Sequence, residues 1–193
     1  MQPKKLLLIR HGETEWALSG QHTGKTDIPL TPRGEKQSAH LAPLLQTQSY
    51  TKVLISPSKR ARDTFALAQT IPCASEVDND LHEWDYGLYE GLTSKDIWKN
   101  NPDWDLFTQG TPGGESPDEI VLRARRVLEK AEKIEGNVAL FSSGHILRVI
   151  ATVWLKLPVS FARHLALAPA SLSILGKEHN TPAILLWNRT VLH

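Results

Sequence analysis

Short apolar runs separated by longer amphipathic stretches set the pattern of this chain. Residues 6–9, 53–55, 138–141 and 171–175 are four such runs, and 183–187 form another after Pro182. Brief continuous apolar runs bounded by turn signals predict strands buried on both faces. Helices are predicted between them. Thr31 and Pro32 supply an N-cap and a first-position proline for a helix over 32–45, with Glu35 close enough to reach back and Pro43 as an early stop. A second helix over 58–68 follows Pro57, which ends the preceding strand. Ser116-Pro117-Asp118-Glu119 reads as N-cap, proline and capping-box glutamate. Behind it Ile120, Val121, Ala124, Val127, Leu128, Ala131 and Ile134 recur at about 3.6 residues until Gly136. A further helix is predicted over 145–155, before Pro158. Strands alternating with helices of this length indicate an α/β sandwich with a mostly parallel sheet.

Residues 76–114 depart from that rhythm. They hold Trp84, Trp98 and Trp104 with the turn signals Asn100-Asn101-Pro102 and Gly110-Thr111-Pro112-Gly113-Gly114. We read them as an insertion packed over the carboxyl ends of the strands, within a single domain over 1–193. A chain of 193 residues can bury one sizeable core. The net charge of +1, without a basic tail or stripe, gives nucleic-acid binding no support. A single cysteine, Cys73, rules out an internal disulfide framework. The first apolar stretch is too short for a signal peptide, and none approaches the roughly 20 residues of a membrane span. A cytoplasmic protein with no nucleic-acid or membrane partner is expected, as a monomer or homodimer.

Candidate chemistry gathers where strands end, which is where open α/β sheets bind ligands. Arg10-His11-Gly12-Glu13-Thr14 follows the first apolar run, and Gly12 lets the backbone turn sharply. A histidine nucleophile beside a multi-donor arginine suits an anionic phosphoryl group. After the second run, Arg60 and Arg62 stand two apart at a helix start and cannot face the same way. One faces an anion while the other meets solvent or Asp63. In Leu81-His82-Glu83-Trp84-Asp85-Tyr86-Gly87, and at Glu90 beyond it, carboxylates sit among aromatic rings. Desolvation there would favour a proton donor, and Glu83, Asp85 and Glu90 all stay open on pattern alone. Asp80 reads as a turn residue. After the third run, Ser142-Ser143-Gly144-His145 offers hydroxyls and N–H groups for phosphate oxygens. His145 either meets the anion or caps the helix, and Arg148 reads as structural, pairing across the sheet edge. His22, His40, His82, His164, His179 and His193 read as structural or surface residues. No metal cluster, Walker loop or convincing Ser-His-Asp arrangement is visible.

In this order the motifs resemble the histidine phosphatase superfamily, in its phosphoglycerate-mutase-like branch and nearest its sugar-phosphate phosphatases. The resemblance runs from Arg10-His11-Gly12-Glu13-Thr14 through Gly20–Gly24, Asp27, Thr31 and Gly34 to Lys59-Arg60-Ala61 and Thr64. It continues at Leu81, Glu83, Gly87, Glu90, Gly91 and Pro112-Gly113-Gly114-Glu115-Ser116. It implies a three-layer α/β/α sandwich and a phosphoric monoester hydrolase with a phosphohistidine intermediate. His11 would be the nucleophile, Arg10 and Arg60 the clamp on the phosphoryl oxygens, and Glu83 the proton donor. Arg60 is thereby preferred to Arg62, and Glu83 to Asp85. Gln21, Thr23, Gly24 and His145 would contact substrate. The implied partner is a small phosphorylated metabolite, a sugar phosphate or bisphosphate, with no metal and no cofactor. Ala17 departs from the family, in which many members carry asparagine there.

The larger departure is Ser143. Resembling members read His-Gly-His, a small apolar pair and Arg; this chain reads Ser143-Gly144-His145-Ile146-Leu147-Arg148. The second catalytic histidine thus falls on Ser143, and loss of one preorganised donor lowers a rate by roughly 10²–10³. Activity is expected to be weakened. The Ser143 hydroxyl is expected to face the same anion pocket as His11 and Arg60, with His145 aside or toward the rim. Gly144 permits backbone adjustment, but the helix that follows limits it. Two other readings stand beside hydrolysis. A cofactor-dependent phosphoglycerate mutase would want an added basic segment to retain a bisphosphorylated intermediate. A non-catalytic phosphate-binding member would not need both a nucleophile and a proton donor.

Overall fold

The computed structural model describes residues 4–68 and 72–191; His193 lies outside them. Strands β1 (Leu6–Arg10), β2 (Lys52–Ile55), β3 (Ala74–Val77), β4 (Val138–Ser142), β5 (Leu172–Glu178) and β6 (Thr181–Arg189) form one sheet in the order β3-β2-β4-β1-β5-β6. The first four are parallel, whereas β5 runs antiparallel to β1 and β6 antiparallel to β5. Along β1 the side chains alternate between two cores: Leu6 and Leu8 join one, Leu7 and Ile9 the other. Both faces are therefore covered, as a continuous apolar run requires. Helices α7 (Pro117–Lys133) and α8 (Gly144–Trp154) pack together on one face. On the other lie α3 (Ala42–Gln46) and α4 (Lys59–Leu67), with α2 (Pro32–Ala39) against α4. A short α1 (Glu15–Ser19) follows β1. No helix among the described residues is long and apolar enough to cross a membrane.

Three expectations change. The helix predicted over 32–45 is two helices, and Pro43 lies in the first turn of α3 rather than ending α2. Proline has no N–H to give there, so it starts a helix more readily than it continues one. Thr31 does cap α2 through the Gly34 N–H, yet its hydroxyl is held by Glu13, at 2.9 Å, instead of by Glu35. Strand β3 was not anticipated because Ala-Ser-Glu-Val is mostly exposed at the sheet edge and has no apolar run to betray it. Its Glu76 pairs with Lys52 and Lys130. Residues 76 and 77 thus belong to the sheet, and the aromatic segment starts after them. That segment carries 3-10 turns at Asn79–Leu81 and Gly87–Tyr89, then α5 (Ser94–Trp98) and α6 (Leu106–Gln109). Trp84 and Trp104 are buried, and their indole N–H groups donate to the carbonyls of Glu115 and Gly110.

The turn after β1 is fixed from several sides. The His11 N–H donates to the Ser142 carbonyl of β4, the Ala170 N–H to the His11 carbonyl, and the Gly12 N–H to Thr64 Oγ1. Two glycines let this turn press on α2. A Cβ at Gly12 would lie 2.4 Å from the Gly34 oxygen, and one at Gly34 only 2.1 Å from the Glu13 oxygen. Helix propensity alone predicts that Gly34→Ala stabilises the protein by about 1 kcal/mol. We expect the reverse, a loss of about 1–3 kcal/mol, because backbone must move to admit the methyl group. Urea unfolding checks the sign, and a gain in stability would contradict the contact.

Candidate active site

The carboxyl ends of β1 and β4 open into a cavity of about 250 Å³. Its lining includes Arg10, His11, Glu83, Gly144, His145 and Arg148 together with Trp16, Gln21, His22, Thr23 and Tyr86.

His11 comes first, because β1 ends beside it and the bonds just described fix its backbone. The ring is buried, and Nδ1 lies 2.7 Å from the Gly12 carbonyl oxygen. A carbonyl can only accept, so Nδ1 carries the hydrogen and Nε2 keeps its lone pair. Burial, then the charges of Arg60 and Arg10, hold the imidazole well below its ordinary pKa. His11 is a neutral nitrogen base beside cations.

Arg10 donates from Nη1 to the Leu167 carbonyl, and its Nε has no hydrogen-bond partner. Gly144 gives it room: a Cβ there would lie 3.3 Å from that Nε. Arg60 was expected on the cavity surface and is instead wholly buried behind it. Its terminal nitrogens donate to the carbonyls of Thr23, Gly24 and Thr26 at 3.0–3.1 Å. It therefore holds the loop that forms one wall, while its charge reaches His11 through low-dielectric protein. Arg62 is exposed, as the helical spacing requires of one of the pair.

Of the three open carboxylates only Glu83 lines this cavity. Its Oε1 accepts the N–H groups of Trp84 and Ile146, and its Oε2 that of His145, each at 2.9 Å. The amino end of α8 thus clasps the carboxylate. Ser142 Oγ donates to the Leu81 carbonyl, and Arg123 from α7 donates to the carbonyls of Asp80, His82 and Glu83, tying the segment in place. Asp85 pairs with Lys25, and Glu90 accepts the N–H groups of Gly24 and Thr26. Both are structural. Asp80 pairs with Arg126 beside its turn.

Position 143 departs from expectation. Ser143 is the residue before α8, 1% exposed, and its Oγ has neither a hydrogen-bond partner nor a place in the cavity wall. His145 lines the cavity. Arg148 does not pair across the sheet edge. Its Nε donates to the Ala162 carbonyl at 2.8 Å, and its guanidinium stacks 4.8 Å from the Phe107 ring centre. Gln21 and Thr23 are on the wall, but Gly24 sits behind it, where a Cβ would strike the Trp84 carbonyl at 2.6 Å.

His22 was read as structural or surface, yet it too lines the cavity. It packs against Tyr86 with ring centres 4.8 Å apart, and burial lowers its pKa to about 4. Its place between Gln21 and Thr23 was the available signal. Among the described residues no three His, Cys, Asp or Glu side chains converge as metal ligands.

The family model described as histidine phosphatase superfamily (branch 1) matches residues 6–190. An acid phosphatase of Mycobacterium tuberculosis is 40% identical over 179 residues, covering 91% of this chain and 87% of its own. A sedoheptulose 1,7-bisphosphatase of Saccharomyces cerevisiae is 34% identical over 188 residues, covering 80% and 69%. The solved structure of an open reading frame product of Mycobacterium tuberculosis superposes with a TM-score of 0.91 at 36% identity, over 97% of this chain and 98% of that one.

His11, His22 and His145 are all held below the ordinary value of 6.5, chiefly by burial. The unfolded chain therefore binds more protons than the folded one as pH falls below that value. This part of the stability is intact above pH 6.5 and is lost on the way down toward about 4, the folded value of His22. Calorimetry should record a melting temperature that falls through that window and a shallower slope in His22→Gln. An identical slope in the variant would contradict the assignment.

Proposed function

The chain belongs to branch 1 of the histidine phosphatase superfamily, and on that premise we propose that it is a metal-independent phosphomonoesterase of small phosphorylated metabolites. One observation carries this reading: a neutral His11 with its Nε2 lone pair free shares a cavity with the Arg10 cation and a carboxylate clasped at a helix end. In the first step, with Glu83 in its protonated form, Nε2 attacks phosphorus, the P–O bond to the leaving group breaks, and Glu83 gives that proton to the departing oxygen and becomes the carboxylate. In the second, water attacks phosphorus, its proton goes to the Glu83 carboxylate, and the N–P bond breaks to release phosphate and His11.

Little covalent work falls to the protein in such a transfer; positioning and charge do most of it. Arg10 meets the phosphoryl oxygens from the cavity wall. Arg60 contributes charge from behind His11 and keeps Thr23 in the wall. Sugar phosphates and bisphosphates are the favoured substrates, supported by the bisphosphatase name of the yeast relative. The wall chemistry of Gln21, Thr23 and His22 beside Trp16 suits a hydroxylated carbon skeleton.

Phosphate release from p-nitrophenyl phosphate and from a panel of sugar phosphates should persist with a chelator present. His11→Ala should lower it by a factor on the order of 10⁴ or more, and Glu83→Gln by roughly 10²–10⁴. Labelled substrate quenched in alkali should leave label on the wild type and none on His11→Ala. Strict dependence on an added divalent metal, or full activity of His11→Ala, would overturn the proposal.

A further inference from the structure

With serine at 143, the cavity lacks an imidazole at the place the family resemblance gives to one. The structure shows where another ring stands. His145 lies two residues on, in the first turn of α8, and its ring forms part of the cavity wall. Its backbone N–H is bonded to Glu83 Oε2, so the ring and the candidate proton donor are parts of one unit. Phe107 meets the ring edge-on at 5.5 Å between centres, and His22 stands 6.1 Å away. These contacts leave the ring little freedom to turn.

Tyr86 determines what that ring presents. Its hydroxyl is 2.5 Å from His145 Nδ1. Burial, and next the Glu83 charge, keep the phenol protonated, and burial together with Arg148, His22 and Arg10 keeps the imidazole neutral. Nδ1 is the phenol's only hydrogen-bond partner among the described residues, so a phenol that donates gives its hydrogen there. The imidazole hydrogen then sits on Nε2, at the edge of the ring away from Tyr86. The same ring with its hydrogen on Nδ1 would turn a lone pair toward an anion and repel it.

We propose that His145 is the hydrogen-bond donor to the phosphoryl oxygens in place of the imidazole absent at 143, and that Tyr86 is a positioning residue that fixes its Nε2–H tautomer. This rests on the phosphatase reading above and adds a residue and a tautomer to it. The charged and titratable groups around the ring are Arg10 from β1, Arg148 from α8, His22 after α1, and Glu83 and Tyr86 from the segment ahead of α5. Of these only Tyr86 can supply that hydrogen to Nδ1, because the phenol alone lies at hydrogen-bond distance and the Glu83 carboxylate is 3.8 Å away.

The test compares wild type with His145→Ala, His145→Gln and Tyr86→Phe. It reads p-nitrophenyl phosphate turnover, the rate of His11 phosphorylation in a single turnover, and the affinity for orthovanadate. His145→Ala should lose roughly 10–10³-fold in the single-turnover rate and bind vanadate at least about tenfold more weakly, the effect of one preorganised donor. His145→Gln, which can still offer an N–H, should recover part of both. Tyr86→Phe frees the tautomer, so its loss should be largest at neutral pH and should shrink toward acid, where a charged imidazole carries hydrogen on both nitrogens. A merely structural role for Tyr86 gives a loss that does not depend on pH. His145→Ala within threefold of wild type in both rate and vanadate affinity overturns the proposal. So do equal losses in His145→Ala and His145→Gln together with a pH-independent loss in Tyr86→Phe. If the wild type turns over no ester, the phosphatase reading fails, and vanadate affinity in the same variants still decides the role of His145.

Discussion

Burying a guanidinium without a salt-bridge partner is costly; this fold buries Arg60 fully and Arg10 and Arg148 in part, and none of the three has such a partner among the described residues. Carbonyl oxygens take the place of carboxylates. Leu167 receives Arg10, Thr23, Gly24 and Thr26 receive Arg60, and Ala162 receives Arg148. Arg10 and Arg60 therefore order loop segments, and Leu167 and Thr23 of those segments line the cavity. Carbonyls satisfy N–H groups without cancelling charge. The excess positive charge that remains is what an anionic ligand would meet, and after burial it is the charges of Arg60 and Arg10 that keep His11 neutral.

The single carboxylate in the cavity is held by a different device. Glu83 sits in a segment with little regular structure, yet both of its oxygens are bonded to backbone N–H groups, two of them from the amino end of α8. Arg123 and Ser142 bind the carbonyls on either side of it. Buried Trp84 and Tyr86 then close the segment against the core. Aromatic density at 84–104 thus has a mechanical role. It gives a short, irregular segment enough buried area to carry a rigid side chain.

Local chemistry made much of this readable in one dimension. The apolar run before Arg10, the capping box at Ser116 and Glu119, and the periodic face of α7 are properties of neighbouring residues, and each appears where its pattern put it. So do the arginine and histidine at the end of β1, because a buried strand has only one way to leave the sheet. β3 carried no such signal. An edge strand with polar side chains is stabilised by pairing with β2, which residues 74–77 do not record by themselves.

The sequence by itself determined which strand ends would carry the polar residues, and which motif, read as a family resemblance, would supply His11, Arg10 and Glu83. Only the tertiary structure decided which side chains reach the cavity. Arg60 turned out to stand behind the wall and Ser143 to lie outside it, while His22 and Arg148 came forward. Facing is decided by contacts from distant segments: Tyr86 on His145, Phe107 under Arg148, the loop carbonyls on Arg60. Periodicity and spacing describe an element relative to its own axis, and a cavity exists only once several elements have packed.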